Sequence, residues 1–202
     1  MSDSILLIVI VLLTATSLGL LLVRDWRWLV ILLSIQYAGM FILVLQHLPL
    51  GMASVKVIAG WMGAAILGMT RSNLNITGKE DPTGRESLPQ GRLFRLIAAI
   101  IVGLIVIAAA PLVDSMLADA GVMVSAGGLI LIGMGLLHLG VTDEVLRVTI
   151  GLMTVLSGFE ILYSAVENSI LVAALLVVVN LGLALAGSYL IIATNTQESE
   201  TV

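Results

Sequence analysis

Seven long apolar runs occupy almost the whole chain, and apart from Arg95 and Arg147 in the first turn of their runs only two strongly ionisable side chains, Lys56 and Glu160, fall inside them. That pattern sets the solvent before it sets the fold. A hydrophobic share of 59% and a mean hydropathy of +1.16 exceed the apolar content of roughly one half found in soluble domains. In a bilayer every spanning backbone N–H and C=O must be bonded within the protein, which leaves helices or a closed barrel. The runs are continuous over about 18 residues and do not alternate with period two, so they read as helices. At about 20 residues per crossing, 202 residues hold six to eight helices and leave no room for a separate soluble domain.

The apolar runs cover about 5–23, 29–46, 51–70, 93–113, 122–141, 145–166 and 169–193. The first lacks a lysine-rich start and an Ala-x-Ala cleavage site, so it reads as a retained helix rather than a signal peptide. Residues 71–92 are polar, with glycines, prolines and no apolar periodicity, and read as a loop. The tail 194–202 is polar and is expected to fray. Loops after odd-numbered helices carry Arg24, Arg27, Arg71, Lys79, Arg85, Arg92, Arg95 and Arg147, which is every Lys and Arg but Lys56. The opposite side holds only Asp3, His47, Asp114, Asp119 and Glu167 among charged or titratable groups. By the positive-inside rule the N-terminus lies outside and the C-terminus in the cytoplasm, which requires an odd number of helices. The expectation is a multi-pass protein of the cell membrane with seven transmembrane helices.

Shifting the chain against itself by 119 residues lays helices 1–3 on helices 5–7 without a gap. Gly39 then meets Gly158, Gly63 meets Gly182 and Gly68 meets Gly187, and the charged break Arg24-Asp25 meets Asp143-Glu144. Interior glycines let helix backbones approach closely in lipid, so matched glycines suggest matched contacts, although biased composition can produce chance matches. The organisation expected is all-α: two parallel three-helix repeats, helices 1–3 and 5–7, joined by helix 4. Residues 1–70 form the first unit, 71–92 a cytoplasmic loop, and 93–121 a linking helix with an outer loop. Residues 122–193 form the second unit and 194–202 a cytoplasmic tail.

Chemistry must lie where polarity enters these helices. Lys56 is about five residues into helix 3, and Glu160 about six residues before the end of helix 6. At ~1.5 Å rise per residue both lie some 8–9 Å from the same face of the membrane. An ion pair would relieve the desolvation of each; the alternative is that Lys56 snorkels to the interface. Gln36 and Asn180 sit at mid-membrane in helices 2 and 7, positions suited to interhelical hydrogen bonds. His138, near the end of helix 5, is either an interfacial polar group or a titrating relay. Ser157, Glu160 and Ser164 share one face of helix 6 by three- and four-residue spacing, with Thr154 and Tyr163 as possible extensions of that seam. With no cysteine and only two histidines, disulfides, Cys-ligated clusters and a bis-histidine haem are not expected. Phosphate-loop, dinucleotide and hydrolase signatures are absent, so no catalytic residue, cofactor, metal or nucleic acid is assigned to this chain.

The stretch Arg147-Val148-Thr149-Ile150-Gly151-Leu152-Met153, followed by Ser164-Ala165-Val166-Glu167-Asn168, resembles the small three-helix K subunit of respiratory complex I. It is also similar to the C subunit of multisubunit cation/proton antiporters. The small-residue third helix of that family is matched by Leu181-Gly182-Leu183-Ala184-Leu185. The doubled architecture, with a lysine in Ser54-Val55-Lys56-Val57, most resembles component E of the hydrogenase-4 and formate-hydrogenlyase membrane arms. The resemblance covers both halves. It implies a membrane-arm subunit of a complex I-like, redox-driven ion (proton) translocating assembly, itself non-catalytic, packed beside a large antiporter-like subunit. Two departures stand out: Met153 occupies the place of the family's glutamate after Ile-Gly-Leu, and helix 7 offers Asn180 where a second glutamate is expected. A stand-alone small-solute or ion transporter is the other reading the residues allow, and a purely structural subunit a third.

Because the chain has no cysteine, single cysteines report sidedness cleanly. A cysteine within 71–92 is expected to react with an impermeant maleimide only from the cytoplasmic side, and Asp119→Cys only from outside. Labelling of both from one side would refute seven crossings.

Overall fold

A spanning helix satisfies its own backbone, so what remains to be decided is where each helix stops and which face meets its neighbours. The computed structural model describes residues 3–76, 89–117, 120–167 and 169–200. Within them the chain forms α1 (Asp3–Leu22), α2 (Trp26–Val44), α3 (Leu50–Ile76), α4 (Pro89–Met116), α5 (Val122–Gly140), α6 (Val145–Val166) and α7 (Ile170–Glu200). All seven are long and apolar enough to cross a membrane.

The stops follow local chemistry. Asp25 caps α2, its carboxylate accepting the Arg27 N–H at 3.0 Å. Pro49 precedes α3, and its carbonyl accepts from Met52 and Ala53. Gly121 opens α5 at φ 98°, a backbone conformation glycine takes without steric cost. Its N–H donates to Asp114 Oδ1 at 2.7 Å, and His47 Nε2 lies 2.9 Å from the Ala120 carbonyl, so the two loops at this end of the bundle are tied together.

Three boundaries differ from the sequence reading. The loop expected over 71–92 is shorter, because α3 continues to Ile76 and α4 already begins at Pro89; residues 77–88 lie outside the described residues. The tail expected to fray from 194 is helical to Glu200. In both cases loss of apolarity was equated with loss of helix. No glycine or proline interrupts 71–76 or 188–200, and a helix can leave the hydrocarbon intact when nothing breaks it. In α7 the Thr194, Asn195 and Thr196 side chains return to carbonyls one turn back. Asp119 and Asn168 lie outside the described residues.

The helices form two rows. α2 packs between α1 and α3, and α6 between α5 and α7. The rows then face each other in the same order, α1 on α5, α2 on α6 and α3 on α7, with α4 outside against α5 and the edge of α1. α6 is the most buried helix and α4 the least. In lipid, apolar burial gives helices no strong reason to associate, so close packing and polar contacts must do it. The tightest seam is between α5 and α6. Gly128 and Gly135 on α5 are seven residues apart, as are Gly151 and Gly158 on α6, so each pair lies on one face. Run antiparallel, Gly128 meets Gly158 and Gly135 meets Gly151. A Cβ at Gly158 would stand 2.6 Å from the Gly128 carbonyl oxygen, and one at Gly135 3.0 Å from that of Gly151. Gly182, by contrast, faces open space.

Gly158→Val is therefore expected to push the seam apart and cost about 1–3 kcal/mol, whereas Gly182→Val stays within ~0.5 kcal/mol of the parent. Thermal unfolding in detergent measures both. Equal loss from the two variants would show that the seam is not the close contact described.

Candidate functional site

α6 presents a polar face inside the bundle: Thr154, Ser157, Glu160 and Ser164 are all buried. Each hydroxyl donates to its own helix, Thr154 to the Ile150 carbonyl at 2.8 Å, Ser157 to Met153 at 2.8 Å and Ser164 to Ile161 at 2.6 Å. A hydroxyl that has spent its proton on the backbone keeps oxygen lone pairs for neighbours. Gln36 uses one of them, its Nε2 donating to Thr154 Oγ1 at 3.2 Å. On the other side of Gln36, Ser17 Oγ lies 3.5 Å from Oε1. This chain joins α1, α2 and α6 with side chains that are all buried.

Lys56 of α3 and Glu160 of α6 meet at 3.1 Å, Nζ to Oε2, with side chains only 3% and 4% exposed. α3 packs on α2 and α7 rather than on α6, so it is the long lysine stem that closes the distance. The bond donates one of the ammonium's three protons. Beside the pair, Tyr37 of α2 is fully enclosed and donates its hydroxyl to Asn180 Oδ1 of α7 at 2.8 Å. Ser157 lies within hydrogen-bonding reach of the same phenol, and Glu160 is near enough to act on it electrostatically. The ring fits because Gly60 of α3 leaves its place empty; a Cβ there would collide with Tyr37. Inside the bundle two polar groups thus line up along α6, Ser17–Gln36–Thr154 and Lys56–Glu160 with Tyr37, Asn180 and Ser157, drawn together from α1, α2, α3, α6 and α7.

Of the residues singled out from sequence, Lys56, Glu160, Gln36, Asn180 and Ser157 come together here. Ser164 lies further along the same face of α6. Tyr163 does not join the seam: it is partly exposed and stacks on Phe159, centroids 5.8 Å apart. His138 is buried but belongs to the other end of the bundle, within electrostatic reach of Arg147 and Arg95, and its Nε2 has no hydrogen-bond partner among the described residues. Tyr37 and Ser17 were missed. A tyrosine far from either interface was the available signal, since a buried phenol seeks a partner.

The arginine-rich end is built differently. Arg147 is buried and donates Nη2 to the Val23 and Arg24 carbonyls at 2.7 and 3.2 Å, while Nε meets Glu144 Oε2 at 2.8 Å. Arg95 donates to the carbonyls of Leu21 at 3.2 Å and Val141 at 3.4 Å. Two cations therefore close the C-terminal ends of α1 and α5, where helix dipoles leave carbonyls unpaired. Among the described residues no cluster of three or more His, Cys, Asp or Glu side chains is placed to hold a metal ion. Compared with family models, curated proteins and solved structures, the chain matches none.

Breaking the pair from one side strands a buried charge, so Lys56→Met and Glu160→Gln are each expected to destabilise by about 3–5 kcal/mol. The double variant should recover part of that loss. Tyr37→Phe removes a neutral membrane hydrogen bond and should cost about 0.6 kcal/mol, at most ~1.7. Thermal unfolding of the purified variants in one detergent tests the set; strictly additive losses from the two charge changes would mean that the residues do not depend on each other.

Proposed function

We propose that this chain is a membrane-arm subunit of a complex I-like, redox-driven ion (proton) translocating complex, packed beside a large antiporter-like subunit and shaping or sealing an ion path. The observation that carries the reading is the enclosed Lys56–Glu160 pair with Tyr37, Asn180 and Ser157 around it. Ionisable groups inside a membrane are expensive and belong to pathways, relays or couplings more than to scaffolding. A carboxylate with a movable ammonium partner can exchange a proton, and the adjacent hydroxyls and amides can pass one or hold one. By this reading the redox chemistry belongs to partner subunits.

The doubled plan fits this role. Gly39 of α2 faces α1 as Gly158 of α6 faces α5, and Gly68 faces α2 as Gly187 faces α6. Two of the three glycine matches at the 119-residue offset therefore make equivalent contacts; Gly182, in open space, does not repeat the role of Gly63 against Met153 and Ala184. The rows facing in the same order support parallel repeats, with α4 as the extra crossing that lets the second unit point the same way as the first. Where the family places glutamates, this chain has Met153 and Asn180, and both are buried. The polar axis is accordingly rerouted to Glu160, two turns further along α6. The charge asymmetry of the loops supports a cytoplasmic position for the arginine-rich end and the C-terminus in a cell membrane.

Mild detergent extraction of the tagged chain from its native membrane, followed by mass determination, tests the assignment. Co-purification of an antiporter-like membrane subunit and a redox subunit is expected; a monodisperse particle of this chain alone sinks it. In the assembled complex, the Lys56→Met/Glu160→Gln double variant is expected to assemble but to lose coupled ion movement in vesicles. Unchanged pumping would reduce the role to structure.

A further inference from the structure

α4 touches the bundle mainly through α5, and between these two helices runs an open groove of about 620 Å3, within the roughly 300–1,000 Å3 of ligand sites. Its walls are apolar, from Phe94 to Ala109 on α4 and from Leu129 to Val141 on α5. At ~1.5 Å per residue the α4 wall is about 22 Å long, more than the ~15 Å depth of one hydrocarbon leaflet. Hydrocarbon of leaflet length fits such a groove.

One end of it is charged. Arg95 is not itself part of the lining, but it follows Phe94 and its Nη2 donates to the Val141 carbonyl, and both of those residues line the groove, so its guanidinium borders that end. Its two protein contacts, at 3.2 and 3.4 Å, are long and use two of five N–H donors. Arg92 is exposed one turn earlier on the same face of α4, and Arg147 and Arg24 lie within electrostatic reach of Arg95. Of the acidic side chains at this end among the described residues, Glu144 is taken by Arg147, Asp25 caps α2 through the Arg27 N–H, and Asp143 is exposed to solvent. Among the described residues the charge beside this end of the groove is therefore positive, while the groove is apolar.

We propose that the α4/α5 groove is a binding site for an anionic phospholipid, one acyl chain lying between the helices and the phosphate held at Arg95 with Arg92 beside it. Guanidinium matches phosphate geometry through paired N–H donors, and basic pockets between helices suit anionic head groups. A partner's apolar helix would fill the groove but leave the charged mouth without a counter-anion, so the lipid is the better occupant. This inference is independent of the assembly proposed above.

Native mass spectrometry of the purified chain, offered equal amounts of phosphatidylglycerol and phosphatidylcholine with identical acyl chains, reads the site directly. Preferential retention of one phosphatidylglycerol is expected, with Arg95→Gln lowering that preference about five- to tenfold and Arg95→Lys retaining most of it. Gly140→Trp provides a second arm: Gly140 lines the groove and a Cβ there meets no atom within 4 Å, so the backbone accepts a side chain and the bulky indole is expected to occupy the groove while the arginines stay. It is expected to reduce lipid retention even if Arg95→Gln fails to fold. Equal retention of the two lipids overturns the proposal, as does displacement of the lipid by millimolar inorganic phosphate. So does a Gly140→Trp variant that keeps its phosphatidylglycerol, including one that does so while losing a co-purifying membrane protein.

Discussion

Lys56 and Glu160 face each other at 3.1 Å in an interior where neither can keep its charge cheaply alone. The pair constrains more than its own geometry. Because α3 packs on α2 and α7 and reaches Glu160 of α6 through the long lysine stem, the residues bordering that stem have to tolerate charge. Tyr37 and Asn180 do so by bonding each other from α2 and α7, and Ser157 by turning its proton to its own backbone. Gly60 then becomes a requirement, since the Tyr37 ring occupies the volume of any larger residue there.

Around this polar centre, cohesion comes from close approach. The Gly128–Gly158 and Gly135–Gly151 contacts bring α5 and α6 nearly backbone to backbone, the kind of packing that holds helices together where no hydrophobic force acts between them. The arginine-rich end uses a third device. Arg147 and Arg95 reach across the ends of α1 and α5 to carbonyls that no helical N–H can serve, so the positive charge that orients a membrane chain also closes its helices. The same surplus of charge meets the α4/α5 groove, where the protein surface changes from capped backbone to bare hydrocarbon.

Much of this was legible beforehand because lipid simplifies the problem. With the backbone obliged to bond internally, seven apolar runs became seven helices, and the boundaries of α1, α2, α5 and α6 fall within a few residues of the run ends. The errors arose where hydropathy was used for a question it does not answer. Polarity at 71–76 and 194–200 marks the exit from hydrocarbon, while ending a helix needs a breaker that those stretches lack. Depth made a Lys56–Glu160 pair one of two readings, beside snorkelling of Lys56, and the packing brings the two together at 3.1 Å. Ser17 was not legible, because a lone hydroxyl in lipid is cheap enough to occur without a role, and for Tyr37 the position far from either interface signalled a partner without saying which one.

The sequence by itself determined the solvent, the number of helices and the charged end of the bundle, all of which follow from one-dimensional patterns of apolarity and charge. Only the tertiary structure decided which faces meet. The order in which α1–α3 lie against α5–α7, the partner of Tyr37, the burial of Arg147 and the groove beneath α4 depend on helix rotation and neighbour choice. Rotation is set by a few ångströms of glycine clearance and a few polar contacts, made between residues on different helices, some as distant in sequence as Gln36 and Thr154. Local pattern carries no record of such distances; they exist only once the helices are packed.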